Sequence, residues 1–573
     1  MIILGINGYS ASTPTKGVYH DSGAAIIEDG EILAAVDQER LSRIKGDHCY
    51  PFDAIKEVIR ISGLGIEDID HIAIPHKSRH KIARQMIGNY AYALSHHPRP
   101  EFRKYLVSRI LDYPIRTIVE LFSPRSVPNE MSHIPRTEIR HHEAHAASAY
   151  YTQPWPDQRT LVITFDSSGD AECGSVWIGD NGRMEKHEGL PFMHSIGALY
   201  TAFTYHLGFK PSRHEGKIVG LAAYGDGQPL SKRLLNYMHM DDWEHLLNAD
   251  LMQLGACAWR AGSDKIYQEL TRGLSREDIA AGIQDITETL ITRYIAQQVD
   301  KYGCSHISLA GGVFANVKLN QRIMSIQGVE NIYVYPNMGD GGVAAGAALR
   351  LHAQLTSDNN KPRFPNTFYF GHAITEEEAK QALEEAGIRF QKPDNIAKEV
   401  ATLLAAGKVV ARADGGMEYG PRALGNRTVM AACSDPSINK WLNERFQRTE
   451  FMPFAPVILE NMAADYFPAW KPEHIAARFM TITYDGSETA KQKIPAAIHI
   501  DGTARPQVIR HEDNPGYYNI IAEYHGITGI PSIINTSFNM HEEPIVCTAI
   551  DAVRAFKDAK LDALILGPYL TVK

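Results

Sequence analysis

One pattern of strands occurs twice in this chain and restricts its possible folds more than any other feature. Each copy begins with a short apolar run typical of a buried strand, residues 1–6 and residues 160–165. A second apolar run follows, and a turn dipeptide comes after it, Asp29-Gly30 in the first copy and Asn181-Gly182 in the second. Such dipeptides join antiparallel strands in hairpins. The pattern therefore predicts a duplicated sheet, with residues 166–170 as a polar loop of the second copy.

Helical and strand-like segments alternate along the rest of the chain, which predicts an α/β fold. Residues 281–300 place apolar side chains three or four positions apart, as a core-facing helix does. A polar run with two prolines, residues 356–365, is the predicted boundary between two domains, residues 1–355 and residues 366–573. The actin-like ATPase fold combines a duplicated sheet with loops around nucleotide phosphates, so the pattern favours that fold for the first domain.

Length, charge and cysteine spacing exclude several classes of protein. The 573 residues exceed what one hydrophobic core usually supports. The net charge is -9 and no run of lysine and arginine occurs, so we predict no nucleic-acid partner. The six cysteines have no paired spacing, which argues against a disulfide framework and a zinc ribbon. No signal-peptide pattern and no apolar stretch of ~20 residues occurs, so we expect a cytoplasmic protein without a membrane partner.

Residues 140–147 (RHHEAHAA) contain the strongest candidate for a metal site. His141 and His145 are four residues apart, so on a helix their imidazoles share a face and can chelate one divalent ion. Asp166 and Asp340 each follow an apolar strand, where site residues of α/β folds gather. Two histidines with two aspartates suit Fe²⁺, Mn²⁺ or Zn²⁺ better than Ca²⁺ or Mg²⁺. From the spacing alone, a polar helix with chance histidines is an equal alternative.

Two further segments of the first domain carry features of anion binding. Gly311, Gly312 and Asn316 lie at a predicted strand-to-helix turn, where glycines admit a ligand closely and amide groups at a helix start favour negative charge. Lys217 precedes a run of small residues and either contacts a phosphate or is solvated. A Gly-Gly turn alone is more often only a turn, so these residues are candidates for cofactor binding.

The second domain places arginines on turns shaped by glycine and proline. Arg422 and Arg427 lie in the segment YGPRALGNR, and Arg505 lies in DGTARPQ. Guanidinium groups on rigid turns bind phosphate or carboxylate groups with paired hydrogen bonds. One arginine alone is more often part of a surface ion pair, but several in such contexts, beside asparagine and serine, predict an anion site.

Eight motifs occur together and in order across residues 1–355 and 366–573. They are HHEAHAASAYY, EGKIVGLAAYG, AGGVFANVKLN, GDGGVAAGAA, GPRALGNR, TEFMPFAP, DGTARPQ and NTSFNMHEEPI. Together they resemble the O-carbamoyltransferases of nodulation-factor, cephamycin and aminoglycoside biosynthesis. Residues 445–453 (RFQRTEFMP) are one residue shorter than in antibiotic-tailoring members, with Gln447 where a phosphate-binding lysine would fall. This variant is more similar to the nodulation-factor branch, which hints at a sugar acceptor.

The resemblance implies a fold and a two-step activity. The first domain is similar to the actin-like, metal-binding domain of the universal tRNA threonylcarbamoyl-transferase, and the second to threonylcarbamoyl-adenylate synthase (YrdC-like). In the family, the second domain makes carbamoyl-adenylate from carbamoyl phosphate and ATP, and the first transfers the carbamoyl group to a hydroxyl. The implied cofactors are ATP with Mg²⁺, carbamoyl phosphate, and a divalent transition metal, Fe²⁺ ahead of Mn²⁺ or Zn²⁺. The implied partner is a small molecule with an acceptor hydroxyl. Formation of a homodimer is an open alternative.

The resemblance also implies roles for individual residues. His141, His145, Asp166 and Asp340 match the metal ligands, and His20 matches a histidine implicated in transfer. The residues that match nucleotide, carbamoyl-phosphate or adenylate contacts are Gly311, Gly312, Asn316, Arg422, Arg505, Asn535 and Ser537. Arg505 is also assigned to catalysis, and Arg448 or Arg445 is the candidate to supply the charge missing at Gln447.

Two other activities stay open at this point. An actin-fold sugar kinase would use the nucleotide site of the first domain, but such enzymes hold Mg²⁺ on carboxylates rather than on a pair of histidines. A tRNA-modifying carbamoyl transferase is suggested by the likeness to the tRNA machinery. The acidic charge of the chain argues against that activity.

Overall fold

The structure is a computed structural model that describes residues 1–8, 21–96, 100–122, 127–256, 263–357, 360–447 and 453–573. Its strands are β1 (Ile2–Asn7), β2 (Gly23–Glu28), β3 (Glu31–Asp37), β4 (His71–Ile74), β5 (Arg136–Glu138), β6 (Thr160–Gly169), β7 (Glu172–Asp180), β8 (Arg183–Pro191), β9 (His306–Ala310), β10 (Asn331–Val334), β11 (Ala373–Ile374), β12 (Val410–Ala413), β13 (Gly415–Gly416), β14 (Arg427–Ala431), β15 (Ala455–Leu459), β16 (Tyr484–Asp485), β17 (Thr503–Ala504), β18 (Gln507–Ile509), β19 (Ser532–Ser537), β20 (Ala563–Leu566) and β21 (Tyr569–Val572).

Its helices alternate with these strands, as the α/β prediction requires. They are α1 (Gln38–Ser42), α2 (Phe52–Ser62), α3 (Arg79–His96), α4 (Pro100–Phe122), α5 (His141–Tyr151), α6 (Ile196–His206), α7 (Glu215–Ala222), α8 (Gln228–Leu235), α9 (Ala249–Ala256), α10 (Ser263–Thr271), α11 (Arg276–Tyr302), α12 (Val317–Met324), α13 (Val343–Leu355), α14 (Glu376–Glu385), α15 (Ile396–Ala405), α16 (Ser437–Arg445), α17 (Glu460–Tyr466), α18 (Glu488–Lys493), α19 (Pro515–Thr528) and α20 (Ala549–Asp558). Among the described residues, no helix has the length and apolar character needed to cross a bilayer.

The duplication predicted from the sequence is confirmed by two five-stranded sheets with the same strand order. The first runs β3-β2-β1-β4-β5 and the second β8-β7-β6-β9-β10. In the second sheet, β6, β7 and β8 pair antiparallel, whereas β9 and β10 extend it in parallel. Both predicted turn dipeptides have left-handed φ angles, 47° and 85° at Asp29-Gly30 and 49° and 83° at Asn181-Gly182. These are the values that tight antiparallel hairpins favour.

The predicted polar loop over residues 166–170 is wrong in its extent. β6 continues to Gly169, with a register irregularity between Phe165 and Gly169. The turn is confined to Asp170 and Ala171, where φ is 48° and 75°. Polar and glycine residues suggested a loop here, but pairing with β7 resumes at Gly169. The irregularity interrupts the ladder at Asp166, so this carboxylate lies where the strand departs from regular pairing.

Two helices of the second copy are positioned by identifiable local features. The predicted core helix over residues 281–300 is confirmed as α11, which begins at a capping box formed by Ser275 and Asp278. α13 packs closely on α5 because of Gly346. A Cβ added at Gly346 would lie 2.0 Å from the carbonyl oxygen of Ala144. The glycine therefore allows α13 to fix the helix that carries both candidate metal-binding histidines.

The chain divides into two compact units, and neither is one continuous segment. The first comprises residues 1–18, 27–31 and 66–364, and the second comprises residues 19–26, 32–65 and 365–573. The two predicted domains, in contrast, were continuous. The second unit contains a seven-stranded sheet of order β18-β15-β19-β14-β12-β20-β21. Its core is formed by side chains of these strands and of α15 and α19, including Val410, Met430, Ile533, Tyr517 and Ile521.

Residues 32–65 join the second unit through charged side chains that bond its backbone. Arg40 donates to the carbonyl oxygen of Gly420 at 2.8 Å. Arg43 donates to the carbonyl oxygens of Pro544 and Ile545, both at 2.7 Å. Because a buried carbonyl without a donor is costly, these bonds tie the segment firmly to the carboxyl-terminal sequence.

An ionic cluster around His372 makes the same connection and should be sensitive to alkaline pH. Hydrogen bonds to Glu378 and Glu57 raise the pKa of His372 to about 9, although burial opposes the charge and Arg60 lies 3.1 Å away. A histidine in the unfolded chain titrates near about 6.5. The stabilisation is therefore complete below that pH and is lost as pH rises through about 9.

We expect His372→Gln to lower the unfolding temperature most below pH 6.5 and least above pH 9. Thermal unfolding of both proteins across pH 6–10 measures this difference. A gap between wild type and variant that stays constant over the range would contradict the ionic role of His372.

Candidate metal centre

The four predicted metal ligands meet in one buried cluster of the first unit. His141 and His145 project from the first two turns of α5, Asp166 from the interrupted part of β6, and Asp340 from the turn before α13. Their ligand atoms all lie within 4.8 Å of one another. Each of these residues is at most 9% exposed. The structure thus brings the four predicted residues together, and their binding of a metal stays a prediction.

The distances within the cluster fit a single cation. The two Nε2 atoms are 3.1 Å apart. Nε2 of His145 lies 3.4 Å from Asp166 Oδ2 and 3.3 Å from Asp340 Oδ1, and Nε2 of His141 lies 3.5 Å from Asp340 Oδ1. Ligands held about 2.1 Å from one metal ion are about 3 to 3.5 Å from each other. Two imidazoles and two carboxylates are also a donor set that suits Fe²⁺, Mn²⁺ or Zn²⁺.

The electrostatics of the cluster show why it favours a positive charge. Burial disfavours a charged His145, but hydrogen bonds to Asp166 and Asp340 outweigh burial and raise its pKa to about 9. Burial also disfavours an ionised Asp166, but the hydrogen bond to His145 and the proximity of His141 hold its pKa well below the usual range. Two carboxylates in a space without solvent need a compensating cation, either a proton on imidazole or a metal.

Neighbouring groups fix the orientation of the ligands. Asp166 accepts hydrogen bonds from the backbone N–H of Ser167 at 2.6 Å and of Gly312 at 2.9 Å. The ring of His141 stacks on His76, with ring centroids 4.8 Å apart. His142 lies between the two ligands in sequence but bonds Thr164 and the carbonyl oxygen of Glu172 instead. These contacts preorganise the cluster and distinguish the two candidate ligands from the histidine beside them.

Gly311 is required by its backbone conformation and by the strand beside it. Its φ is 104°, and an added Cβ would lie 2.2 Å from the carbonyl oxygen of Phe165. Position 311 lies directly before the residue whose N–H bonds Asp166, and its conformation and close contact require glycine.

We expect Gly311→Ala to cost about 1–3 kcal/mol from backbone strain alone, with a further loss from displacing β6. Gly303→Ala is the matched control, because its φ is 64° and nothing lies within 4 Å of its added Cβ. Denaturant unfolding of the two variants compares them. Equal destabilisation would show that the contact with Phe165 has no effect on stability.

The other cofactor-binding candidates of the first unit have separate surroundings. Asn316 caps α12 by accepting from the N–H of Leu319, and its amide group donates to Gln284 at 2.9 Å. Lys217 is buried on α7, which packs against α11. Gly312 differs from these two residues in its direct bond from the backbone N–H to Asp166.

The predicted residues of the second unit converge on one end of its sheet. Asn535 is buried on β19, and its amide group donates to the carbonyl oxygen of Ala423 at 3.0 Å and to Gln507 at 2.6 Å. It thereby connects the loop that carries Arg422 with the segment that carries Arg505. Both arginines are half-buried, as is Ser537 at the end of the same strand. The anion-binding role of these residues stays a prediction.

Arg427 does not belong to a ligand site, in contrast to the sequence interpretation. It is fully buried and donates to the carbonyl oxygens of five residues, His372, Asp414, Gly415, Asn426 and Cys547. A guanidinium group has five N–H donors, so this one is committed to the backbone. Sequence reasoning also missed Glu418, whose carboxylate binds the same loop. An acidic residue close to a Gly-Pro turn was the sequence signal that could have identified it.

Two predicted site residues, His20 and Arg448, lie outside the described residues. Their roles in transfer and in phosphate binding remain predictions.

Comparison with known proteins identifies the family. Family models for the carbamoyltransferase amino terminus and carboxyl terminus match residues 14–349 and 401–573. Nodulation protein NolNO of Sinorhizobium fredii is 30% identical over 100% of this chain and 83% of that protein. Nodulation protein U of Rhizobium tropici is 26% identical over 91% of this chain and 90% of that protein. Component A of (R)-2-hydroxyglutaryl-CoA dehydratase from Acidaminococcus fermentans matches 62% of this chain and 99% of its own, with 15% identity and a TM-score of 0.34.

The matches agree with the resemblance drawn from the eight sequence motifs. The family models cover well over half of the chain and include the histidine–aspartate cluster in one match and the arginine-bearing loops in the other. The chain therefore belongs to the carbamoyltransferase family and is a transferase.

Proposed function

We propose that this enzyme is an ATP-dependent O-carbamoyltransferase whose acceptor is a small molecule with a hydroxyl group, such as a sugar hydroxyl. The second unit would form carbamoyl-adenylate from carbamoyl phosphate and ATP, and the first would transfer the carbamoyl group to the acceptor. The observation that carries the proposal is the presence of two chemically different clusters in one chain. One is the histidine–aspartate cluster, and the other is the group of arginine-bearing turns around Asn535.

Folds of the two units support this assignment. We infer an actin-like fold for the predicted first domain, residues 1–355, because the two five-stranded sheets of that part of the chain repeat one strand order. For the second unit we infer a fold of the threonylcarbamoyl-adenylate synthase type. The activity of such a pair requires ATP with Mg²⁺ in addition to carbamoyl phosphate.

The proposed reaction balances with three phosphate-containing products, which are inorganic phosphate, pyrophosphate and AMP. Carbamoyl phosphate loses inorganic phosphate to water, which leaves carbamate. A carbamate oxygen then bonds the α-phosphorus of ATP, and pyrophosphate leaves. In the second step the acceptor oxygen bonds the carbamoyl carbon, the acceptor proton passes to a base, and AMP leaves. Arg422 and Arg505 would bind the phosphate groups whose charge changes during adenylate formation.

The residues of the first unit would bind and orient the adenylate for transfer. A bound Fe²⁺, Mn²⁺ or Zn²⁺ would act as a Lewis acid there. His141, His145, Asp166 and Asp340 would hold it, and Gly312 would keep Asp166 in place. His20 stays the predicted base for the acceptor proton, since imidazole titrates near neutral pH.

Labelled substrates test the proposal directly. We would incubate the enzyme with ¹⁴C-carbamoyl phosphate, ATP and a panel of hydroxyl compounds, and follow inorganic phosphate, pyrophosphate, AMP and labelled product. The expected result is one labelled product per AMP released. A phosphorylated product formed without carbamoyl phosphate would instead identify a kinase. Labelled tRNA would identify a tRNA-modifying enzyme.

A further inference from the structure

The loop over residues 418–427 is folded around a buried carboxylate. Glu418 is 3% exposed. Its Oε1 accepts hydrogen bonds from three backbone N–H groups of its own loop, Leu424 at 2.9 Å, Asn426 at 2.8 Å and Arg427 at 3.0 Å. A carboxylate that accepts several amide hydrogen bonds fixes a backbone strongly, because each bond is charge-assisted. All three donor amides belong to residues that follow Arg422 in the sequence.

The carbonyl groups of the same loop accept hydrogen bonds from side chains outside the loop. Arg40 donates to the oxygen of Gly420, Gln507 to that of Leu424, and Arg412 to that of Gly425. The turns themselves need glycine, since φ is 138° at Gly420 and 120° at Gly425. The amide groups of the loop bond Glu418, and its carbonyl groups bond side chains outside the loop. These hydrogen bonds fix the backbone on both sides of Arg422 in one conformation.

We propose that Glu418 is a positioning residue for carbamoyl-phosphate binding, acting through Arg422. The inference rests on the proposed function, in which Arg422 binds a phosphate group. Glu418 would not contact the substrate. It would hold the loop so that the Arg422 guanidinium points at one place. Displacement of a binding group by about 1 Å can cost about 100-fold in rate, so the loss of this support should be large.

Variants at Glu418 separate positioning from folding. In carbamoyl-phosphate-dependent exchange of pyrophosphate into ATP, Glu418→Ala should raise the KM for carbamoyl phosphate about 10- to 100-fold. Glu418→Gln keeps an oxygen acceptor and should retain much more activity. Glu57→Gln is the matched control, because Glu57 is a half-buried acid of the same unit whose carboxylate bonds His372 and Arg60. A role limited to folding would lower kcat for both alanine and glutamine variants and leave KM unchanged, which would overturn the proposal.

A double-mutant cycle distinguishes failure of this inference from failure of the proposed function. Arg422→Lys alone should raise the KM for carbamoyl phosphate. If it does not, the assigned role of Arg422 fails. If it does, Glu418→Ala added to Arg422→Lys should raise KM less than about threefold further, since both act on one contact. Two full, independent effects that multiply would show that Glu418 does not act through Arg422, and the positioning role would be wrong.

Discussion

Replacement of His141 by alanine should abolish carbamoyl transfer and leave carbamoyl-adenylate formation largely intact. His141 supplies one of four ligand atoms that lie within 4.8 Å of one another, so its loss opens the cluster. A metal ion acting as a Lewis acid contributes several kcal/mol, which corresponds to a loss of at least about 10³-fold in transfer. Product formation measures transfer, and exchange of pyrophosphate into ATP measures adenylate formation. The two readouts should diverge sharply.

Metal content gives a test of the same variant that does not depend on activity. Protein without a His-tag, reconstituted separately with Fe²⁺, Mn²⁺ and Zn²⁺, should hold about one ion per chain, and His141→Ala should hold far less. His187→Ala is the control, because His187 is an exposed histidine of the same unit. Wild-type protein that retains none of the three ions would refute the metal site. Equal metal content in wild type and His141→Ala would remove His141 from it.

Replacement of either Arg422 or Arg505 by alanine should stop adenylate formation. Both arginines are half-buried on turns that Asn535 helps to connect. Loss of a charge-assisted contact in a shielded site costs about 2–5 kcal/mol, or roughly 30- to 4,000-fold in rate. Carbamoyl-phosphate-dependent exchange of pyrophosphate into ATP is the measurement.

The controls for this prediction use the same type of substitution and the other half-reaction. Arg389→Ala changes an exposed arginine of the second unit and should leave exchange unchanged. Metal content should be unaffected in all three variants, since the cluster lies in the first unit. Normal exchange in Arg422→Ala or Arg505→Ala would place that residue outside the adenylate-forming site.

The sequence predicted those features that depend on local spacing. Two histidines four residues apart indicate one helix face, and the cluster of α5 with Asp166 and Asp340 confirmed this. Turn dipeptides with glycine indicated the hairpins, because left-handed φ angles restrict the residues that can occupy them. In each case the responsible interaction acts over a few residues, so the pattern is visible in the chain itself.

Features that depend on distant contacts were not predictable in this way. Arg427 looked like a candidate for anion binding, but its donors are used by carbonyls up to 120 residues away. Residues 32–65 likewise bond the rest of the second unit through Arg40 and Arg43, whose acceptors lie more than 370 positions later in the sequence. Nothing in the local pattern of those arginines indicates their acceptors.

The discontinuity of the second unit has a consequence for dissecting the enzyme. A fragment cut at the polar run of residues 356–365 would lack α1 and α2, and Gly420, Pro544 and Ile545 would lose the donors that bond their carbonyls. Such a truncation should give an aggregation-prone product rather than an autonomous adenylate-forming module. Any split version must supply residues 32–65 to the carboxyl-terminal piece, as a fused or co-expressed peptide. A boundary read from the linear sequence therefore does not define a fragment that can carry out one half-reaction by itself.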